Sequence, residues 1–370
     1  MNRDPILFRV DAGPRTSYEH LARCATYAAA LQRRRRPTYF LSQLEPRSLA
    51  LPIKRAGNEW LDADAPVGTD EDLAETIQEI RRLRPAAVIV DAPTVTADYV
   101  NEIQATGVLL VSLDHAAGIR FPSQILINPL LGPGKETYEF APGTQLLLGP
   151  RYALVRSEVR RQRPNRAQEP PPVPSPNGKV ASGHFRGLVA LGEDDPHRRS
   201  MELVKLLLNV PRVAKVDVVV RSYHPDLEKL QALAAGSNER VSVAVEPAEV
   251  TSRLVRCHFA VTAGSGWSLE LACVGIPQLL IVQSESHWPT AQRLEEEGCA
   301  SCLGWHESVS PQTIRQAVQN LLNDPLERQA MARCARKLID GRGQDRLVTA
   351  LEIMLHPSRL LGWEVHEQAA

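Results

Sequence analysis

The chain runs to 370 residues, 43% of them apolar and 23% charged, with 43 Lys plus Arg balancing 43 Asp plus Glu. That length exceeds one typical hydrophobic core and argues for two domains, while the neutral balance excludes a global field that would attract nucleic acid or an anionic membrane. No apolar run reaches the length of a membrane span and the opening residues lack a signal-peptide core, so a cytoplasmic protein is expected.

Along the chain, Ile6 to Val10 reads as a strand, His20 to Leu31 as a helix and Thr38 to Leu41 as a second strand. An acidic helical stretch from Asp70 to Leu83 leads into the buried strand Ala86 to Val90, which ends at Asp91. Two more strands, Val108 to Leu113 and Ile125 to Ile127, end at Asp114 and Asn128. Short continuous apolar runs separated by helices indicate a parallel sheet covered on both faces. Polar residues just past the C-terminal ends of such strands are where ligands bind. The basic run Arg33 to Arg36 falls at the end of the first helix, where positive charge suits the helix dipole. It reads as a solvated helix end rather than a nucleic-acid contact.

From Arg160 to Ser182 the character changes. Glu169-Pro170-Pro171-Pro172-Val173-Pro174-Ser175-Pro176 cannot continue a sheet or a helix and reads as an extended linker. Strands then resume at Leu188 to Leu191, Val216 to Val220, Val241 to Val245, Phe259 to Ala263 and Leu279 to Val282. The expected fold is α/β, with two Rossmann-like doubly wound parallel-sheet domains facing across a cleft. The boundaries are an N-terminal domain over 1–159, a linker over 160–183, a second domain over 184–355 and a loose tail over 356–370. The helical pattern after Pro311 closes the second domain, with a crossing back onto the first as the alternative. The six cysteines are scattered and read as reduced core residues. Cys299 and Cys302 form a lone C-x-x-C with no second ligand pair, so no metal is expected.

The most informative run is Thr262-Ala263-Gly264-Ser265-Gly266-Trp267-Ser268-Leu269-Glu270, which continues to a stop at Gly275-Ile276-Pro277. A strand runs into a small-residue turn and then a helix, leaving backbone N–H groups uncovered where a phosphate binds best. Glu270 lies about one turn into that helix, where a carboxylate can accept hydrogen bonds from a ribose diol. Gly264, Ser265, Gly266 and Glu270 are therefore the candidate nucleotide residues. In the first half His20 opens the first helix after the polar loop Asp11 to Glu19. A neutral imidazole there can accept a proton from water, and the helix N-terminus favours the uncharged form.

Phe8-Arg9-Val10-Asp11, followed nine residues on by His20 and then by Arg23-Cys24, resembles the opening of the UDP-2,4-diacetamido-2,4,6-trideoxy-β-L-altropyranose hydrolases of pseudaminic acid biosynthesis, a group that includes spore-coat polysaccharide proteins. Val90-Asp91, Leu113-Asp114, the Gly149 to Arg156 segment around Tyr152, the Leu191 to Pro196 turn, Gly264 to Glu270 and Asp340 to Gly343 continue the resemblance in order. The chain departs from that pattern at Ser17-Tyr18-Glu19, where the family has Gly-x-Gly, and at Ser286-His287, where it has Asn-Gln.

The resemblance implies a GT-B architecture and a hydrolase that cleaves the sugar–phosphate bond of a UDP-linked amino sugar. The histidine matching His20 would activate water, Asp11 would hold or tune the site, and the Gly264 turn would stabilise charge on the pyrophosphate. Arg9, Tyr18, Arg23, Asp91, Tyr152, Ser286 and His287 would then line the substrate. No cofactor or metal is needed, and the oligomeric state is left open between monomer and weak dimer. A glycosyltransferase on the same scaffold and a non-catalytic nucleotide-sugar-binding protein are the alternatives.

Overall fold

The computed structural model describes residues 3–14, 16–165, 169–170, 173–174, 180–181, 184–192, 195–245 and 247–356. Two compact units divide the chain: Met1–Leu154 with Arg342–Ala370, and Val155–Gly341. Much of the linker expected over 160–183, and 357–370 of the expected tail, lie outside the described residues.

The first unit is built on strands β1 (Ile6–Arg9), β2 (Thr38–Ser42), β3 (Glu59–Asp62), β4 (Ala87–Asp91), β5 (Leu109–Leu113), β6 (Ile125–Asn128) and β7 (Gln145–Leu148). They pair in parallel in the order β3-β2-β1-β4-β5-β6-β7. β1 and β4 at the centre are buried throughout, as continuous apolar strands covered on both faces must be. Helix α1 (Glu19–Arg33) follows β1, and α2 (Asp70–Leu83) follows β3. Thr69 caps α2 by accepting a hydrogen bond from the Asp72 N–H, and Arg84 ends it in a left-handed conformation. The strand order reverses between β1 and β4, and the chain therefore leaves those two strand ends in opposite directions.

The second unit repeats the plan. Strands β8 (Phe185–Ala190), β9 (Val213–Val219), β10 (Val241–Ala244), β11 (Phe259–Thr262), β12 (Gln278–Val282) and β13 (Ser301–Trp305) form a parallel sheet in the order β10-β9-β8-β11-β12-β13. Here the order reverses between β8 and β11. Helix α3 (Gly266–Val274) follows β11 and α4 (Trp288–Glu296) follows β12.

Two features differ from the sequence expectation. β3 and β13 are edge strands with mixed exposure, so they need no continuous apolar run and carry none, and the edge strand β7 carries only the short run Leu146 to Leu148. The helix Gly343–Leu355, which the sequence reading placed in the second domain with a crossing back onto the first as the alternative, belongs to the first unit, as that alternative has it. Its Leu347 carbonyl accepts from Tyr27 Oη at 3.2 Å, and its Glu352 pairs with Arg36 at 2.9 Å. A Cβ at Gly343 would lie 2.1 Å from the Ala153 carbonyl oxygen, so only glycine lets the helix start there.

Arg9, at the end of β1, is 0% exposed. Its Nε donates to Asp72 Oδ1 at 2.5 Å and its Nη1 to Asp11 Oδ1. The remaining guanidinium protons point to the Leu41 and Ala65 carbonyls and to Asp11 Oδ2. Burial alone would disfavour the charge, but Asp11 and Asp72 outweigh it and raise the Arg9 pKa. The two carboxylates in turn accept backbone N–H groups of Gln43 and Val67 (Asp11) and of Gly68 (Asp72). One buried cation thereby ties together the segments that follow β1, β2 and β3.

Replacing Arg9 with Met would strand two buried carboxylates without their cation. The expected loss is about 3–5 kcal/mol of unfolding free energy, read from urea denaturation; a change below about 1 kcal/mol would refute the clasp.

Candidate functional site

In the first unit the site lies where β1 and β4 end. Asp91 is the last residue of β4, and α1 carries His20, Arg23 and Cys24 onto it. His20 Nδ1 lies 2.6 Å from Asp91 Oδ1, and Arg23 Nε donates to Asp91 Oδ2 at 2.6 Å. Cys24 Sγ also reaches Oδ2, at 3.3 Å. Burial pushes the Asp91 carboxyl upward, but Arg23 and His20 more than reverse this and hold it well below the usual carboxylate range. Arg23 Nη2, which can only donate, also lies 2.9 Å from His20 Nδ1, but the contact of that nitrogen with ionised Asp91 is shorter, which assigns the proton to Nδ1 and leaves the ring's lone pair on Nε2. That is the arrangement of a histidine base oriented by a carboxylate.

A second imidazole completes the cluster. His115, two residues past β5, has its ring 5.5 Å from that of His20, and its Nδ1 accepts from Arg23 Nη1 at 3.3 Å. Burial, then the charges of Arg23 and His20, push its pKa down to about 3, so it stays neutral. Nothing in the sequence reading singled it out, although its place beside a strand-end aspartate was the available signal.

The approach to α1 keeps a glycine-like backbone without glycine. Ser17 has φ 61°, in the left-handed region, and Tyr18 is buried with its Oη donating to the Glu45 carbonyl at 3.0 Å. Arg9 and Asp11 sit in the buried clasp described above, and their hydrogen bonds go to one another, to Asp72 and to backbone. Tyr152 lies in the turn Pro150–Tyr152 that packs on Gly343. Of the residues expected in the first domain, the structure thus gathers His20, Arg23 and Asp91.

In the second unit the turn Gly264–Gly266 lies at the matching reversal of strand order. Gly264 has φ 83°, and a Cβ there would come within 2.9 Å of the His287 carbonyl oxygen. Its glycine is required for packing against the start of α4, and its N–H is already given to Ser268 Oγ at 3.0 Å. Gly266, by contrast, faces open space. Ser265 is buried at the N-cap of α3, and its Oγ has no hydrogen-bond partner among the described residues. This hydroxyl and the first-turn N–H groups of α3 are what the turn offers an anion. Ser286 and His287 form the turn that abuts Gly264, with Ser284 and Ser286 hydroxyls 2.8 Å apart.

Glu270 is buried and engaged. Its Oε1 accepts from the Arg156 backbone N–H (3.1 Å) and Nε (2.8 Å), and Oε2 accepts from Arg156 Nη2 at 2.6 Å. A carboxylate has about four acceptor positions, so Oε2 retains capacity for a further donor. Arg156 and Arg221 also lie over the Trp267 ring, 5.0 and 5.8 Å from its centroid. Two guanidinium groups and an aromatic ring thus flank the helix N-terminus. The sequence reading did not assign them, because the contacts join residues far apart in the chain. The acidic residues Glu193 and Asp194 fall outside the described residues. Among the described residues no cluster of three His, Cys, Asp or Glu is placed to hold a metal ion. No helix among them is long and apolar enough to cross a membrane.

No family model matches the chain. Over 167 residues it is 24% identical to the spore coat polysaccharide biosynthesis protein SpsG of Bacillus subtilis (strain 168), which covers 45% of this chain. The chain spans about half (49%) of the length of that curated relative. Solved structures are similar over nearly the whole chain. MurG of Acinetobacter baumannii has a TM-score of 0.61 at 13% identity, covering 94% of this chain and 99% of its own. The spinosyn rhamnosyltransferase SpnG complexed with thymidine diphosphate has 0.59 at 17%, covering 94% and 100%. The UDP-GlcNAc 2-epimerase of Neisseria meningitidis bound to UDP-GlcNAc has 0.60 at 11%, covering 94% and 99%. The chain has the GT-B type of fold, with two Rossmann-like units, and is a divergent chain similar to SpsG.

The neutral His115 makes a pH prediction. Folded, its imidazole stays unprotonated down to about pH 3, whereas in the unfolded chain it takes a proton below its ordinary value of about 6.5. Acidification therefore favours the unfolded state across that window. On going from pH 7 to pH 5, His115→Asn should lose roughly 1–2 kcal/mol less stability than the parent protein in urea titrations; equal losses would contradict the placement.

Proposed function

We propose that this chain is a nucleotide-sugar hydrolase of glycan assembly, with His20 as its base and the Gly264–Glu270 segment as its nucleotide anchor. The observation that carries the reading is the His20–Asp91 pair at the strand-order reversal of the first sheet. His20 Nε2 takes a proton from water, and the water oxygen attacks the anomeric carbon. The bond from that carbon to the pyrophosphate oxygen breaks, and UDP leaves with the electron pair. Asp91 holds the ring's tautomer and stabilises the imidazolium that forms, while Arg23 keeps Asp91 ionised.

The nucleotide half is supported by the open Gly266 turn, the Ser265 hydroxyl, which has no partner among the described residues, and the Arg156–Trp267–Arg221 cluster. The ribose would share Glu270 with Arg156, and backbone donors of α3 would meet the charge that grows on the departing phosphate. The similarity to a spore coat polysaccharide protein supports the biosynthetic setting, and two similar structures hold thymidine diphosphate and UDP-GlcNAc. A second reading, transfer to a sugar hydroxyl instead of water, draws on the rhamnosyltransferase fold and would use the same base.

Incubation with a panel of UDP-sugars, followed by chromatography of nucleotide and sugar, separates the readings. Release of UDP without acceptor is expected, with His20→Ala slowing it about 100- to 10,000-fold. Release only when an acceptor is added supports transfer instead. Binding without turnover supports a non-catalytic role, and an altered sugar still attached to UDP would point to epimerisation. Parental turnover in His20→Ala would remove the assignment of the base.

A further inference from the structure

The C-terminal rim of the second sheet carries an aromatic surface that the proposed reaction does not use. Trp288, the first residue of α4, stacks on Trp305, the last residue of β13, with ring centroids 5.5 Å apart and planes within 7° of parallel. Trp305 covers one face of the ring, yet Trp288 keeps 37% of its surface exposed. An aromatic face left open at the C-terminal rim of such a sheet is placed where ligands bind in this kind of fold.

The surroundings define the kind of ligand. Trp288 directly follows His287, whose carbonyl packs on Gly264, so the ring pair is continuous with the turn proposed to hold phosphate. Trp305 is tied to the same rim by the next residue, since the His306 N–H donates to the Val282 carbonyl at 3.0 Å. The cations of the proposed site, Arg156 and Arg221, lie instead against Trp267. Preceding Trp288 in the chain are Ser284 and Ser286, whose hydroxyls lie 2.8 Å apart, and the exposed Glu285, while Arg199 beside Trp305 is engaged by the His306 carbonyl and by Glu202. The guanidinium groups that lie on an aromatic face are thus at Trp267, and the segment leading into Trp288 carries hydroxyls and a carboxylate instead. A pyranose ring matches the second place: its axial C–H groups are weakly positive and meet the negative π face, while its edge hydroxyls reach hydroxyl and carboxylate partners.

We propose that Trp288, backed by Trp305, is a stacking platform for a pyranose ring, and that it selects sugars with an uninterrupted C–H face. The proposal rests on the nucleotide-sugar reading for its location, but the two are read by different ligands. The ring is carried either by the nucleotide sugar or by a free glycan, and both sources are assayed.

The test is calorimetric titration of the parent protein, Trp288→Ala and Trp288→Phe with UDP, UDP-GlcNAc and the free disaccharide of N-acetylglucosamine. This sugar presents axial C–H groups on both faces. Trp288→Ala should weaken UDP-GlcNAc (a donor ring) or the disaccharide (an acceptor ring) about three- to tenfold, the range of an aromatic contact. UDP should stay within about twofold, and Trp288→Phe should recover most of the loss. Equal weakening of UDP and UDP-GlcNAc would mean that the ring stacks a nucleobase and would overturn the proposal, as would no loss with either sugar ligand. Failure of the parent protein to bind UDP overturns the nucleotide reading, and the disaccharide arm then decides the platform alone.

Discussion

A charge with no water around it organises the first unit. Arg9 ends the central strand of its sheet fully buried, and a guanidinium in that position demands acceptors for every proton. Asp11 and Asp72 answer the demand, and their spare lone pairs recruit backbone N–H groups from the segments after β2 and β3. The loop that leaves β1 is anchored at Asp11 before it reaches Ser17 and Tyr18, and α1 starts from that fixed point. His20 can then meet Asp91 at hydrogen-bond distance because the segment that delivers it is held at both ends. A residue outside the His20–Asp91 pair thus sets the geometry of that pair.

The two units share one topology but equip its reversal point in opposite ways. In the first, the crevice between β1 and β4 holds titratable side chains locked in charge state: Asp91 ionised, His115 neutral, Arg23 cationic. In the second, the crevice between β8 and β11 is lined by backbone donors, a serine hydroxyl and guanidinium groups on an aromatic ring. Proton movement suits the former and anion binding the latter. N–H donors at a helix end cannot take a proton, whereas the imidazole of His20 can.

How much of this was legible depends on how local the cause is. Central strands such as β1, β4 and β11 declare themselves, because burial on both faces requires an unbroken apolar run. The edges β3 and β13 are half-exposed and lack that signature. His20 and Asp91 were readable as a helix-opening histidine and a strand-end aspartate, although their 2.6 Å contact was not. Arg9 carries the same strand-end signature as Asp91, yet three loops close over it, and no local pattern distinguishes a ligand-facing arginine from a buried one. The Arg156–Glu270 pair joins residues 114 positions apart, a distance over which sequence periodicity says nothing.

The helix Gly343–Leu355 belongs to the first unit although the whole second unit precedes it in the chain. Its seat against α1 is prepared at Tyr27 and Arg36 and at the Ala153 carbonyl that only Gly343 can approach. On the ribosome, where segments fold in the order they emerge, the second unit can close as soon as its own strands are out. The first unit must wait with part of α1 uncovered until residue 355 has been synthesised. Maturation of the His20-bearing unit is therefore coupled to completion of its neighbour, so a chain interrupted in between leaves an exposed apolar surface for chaperones and proteases to recognise.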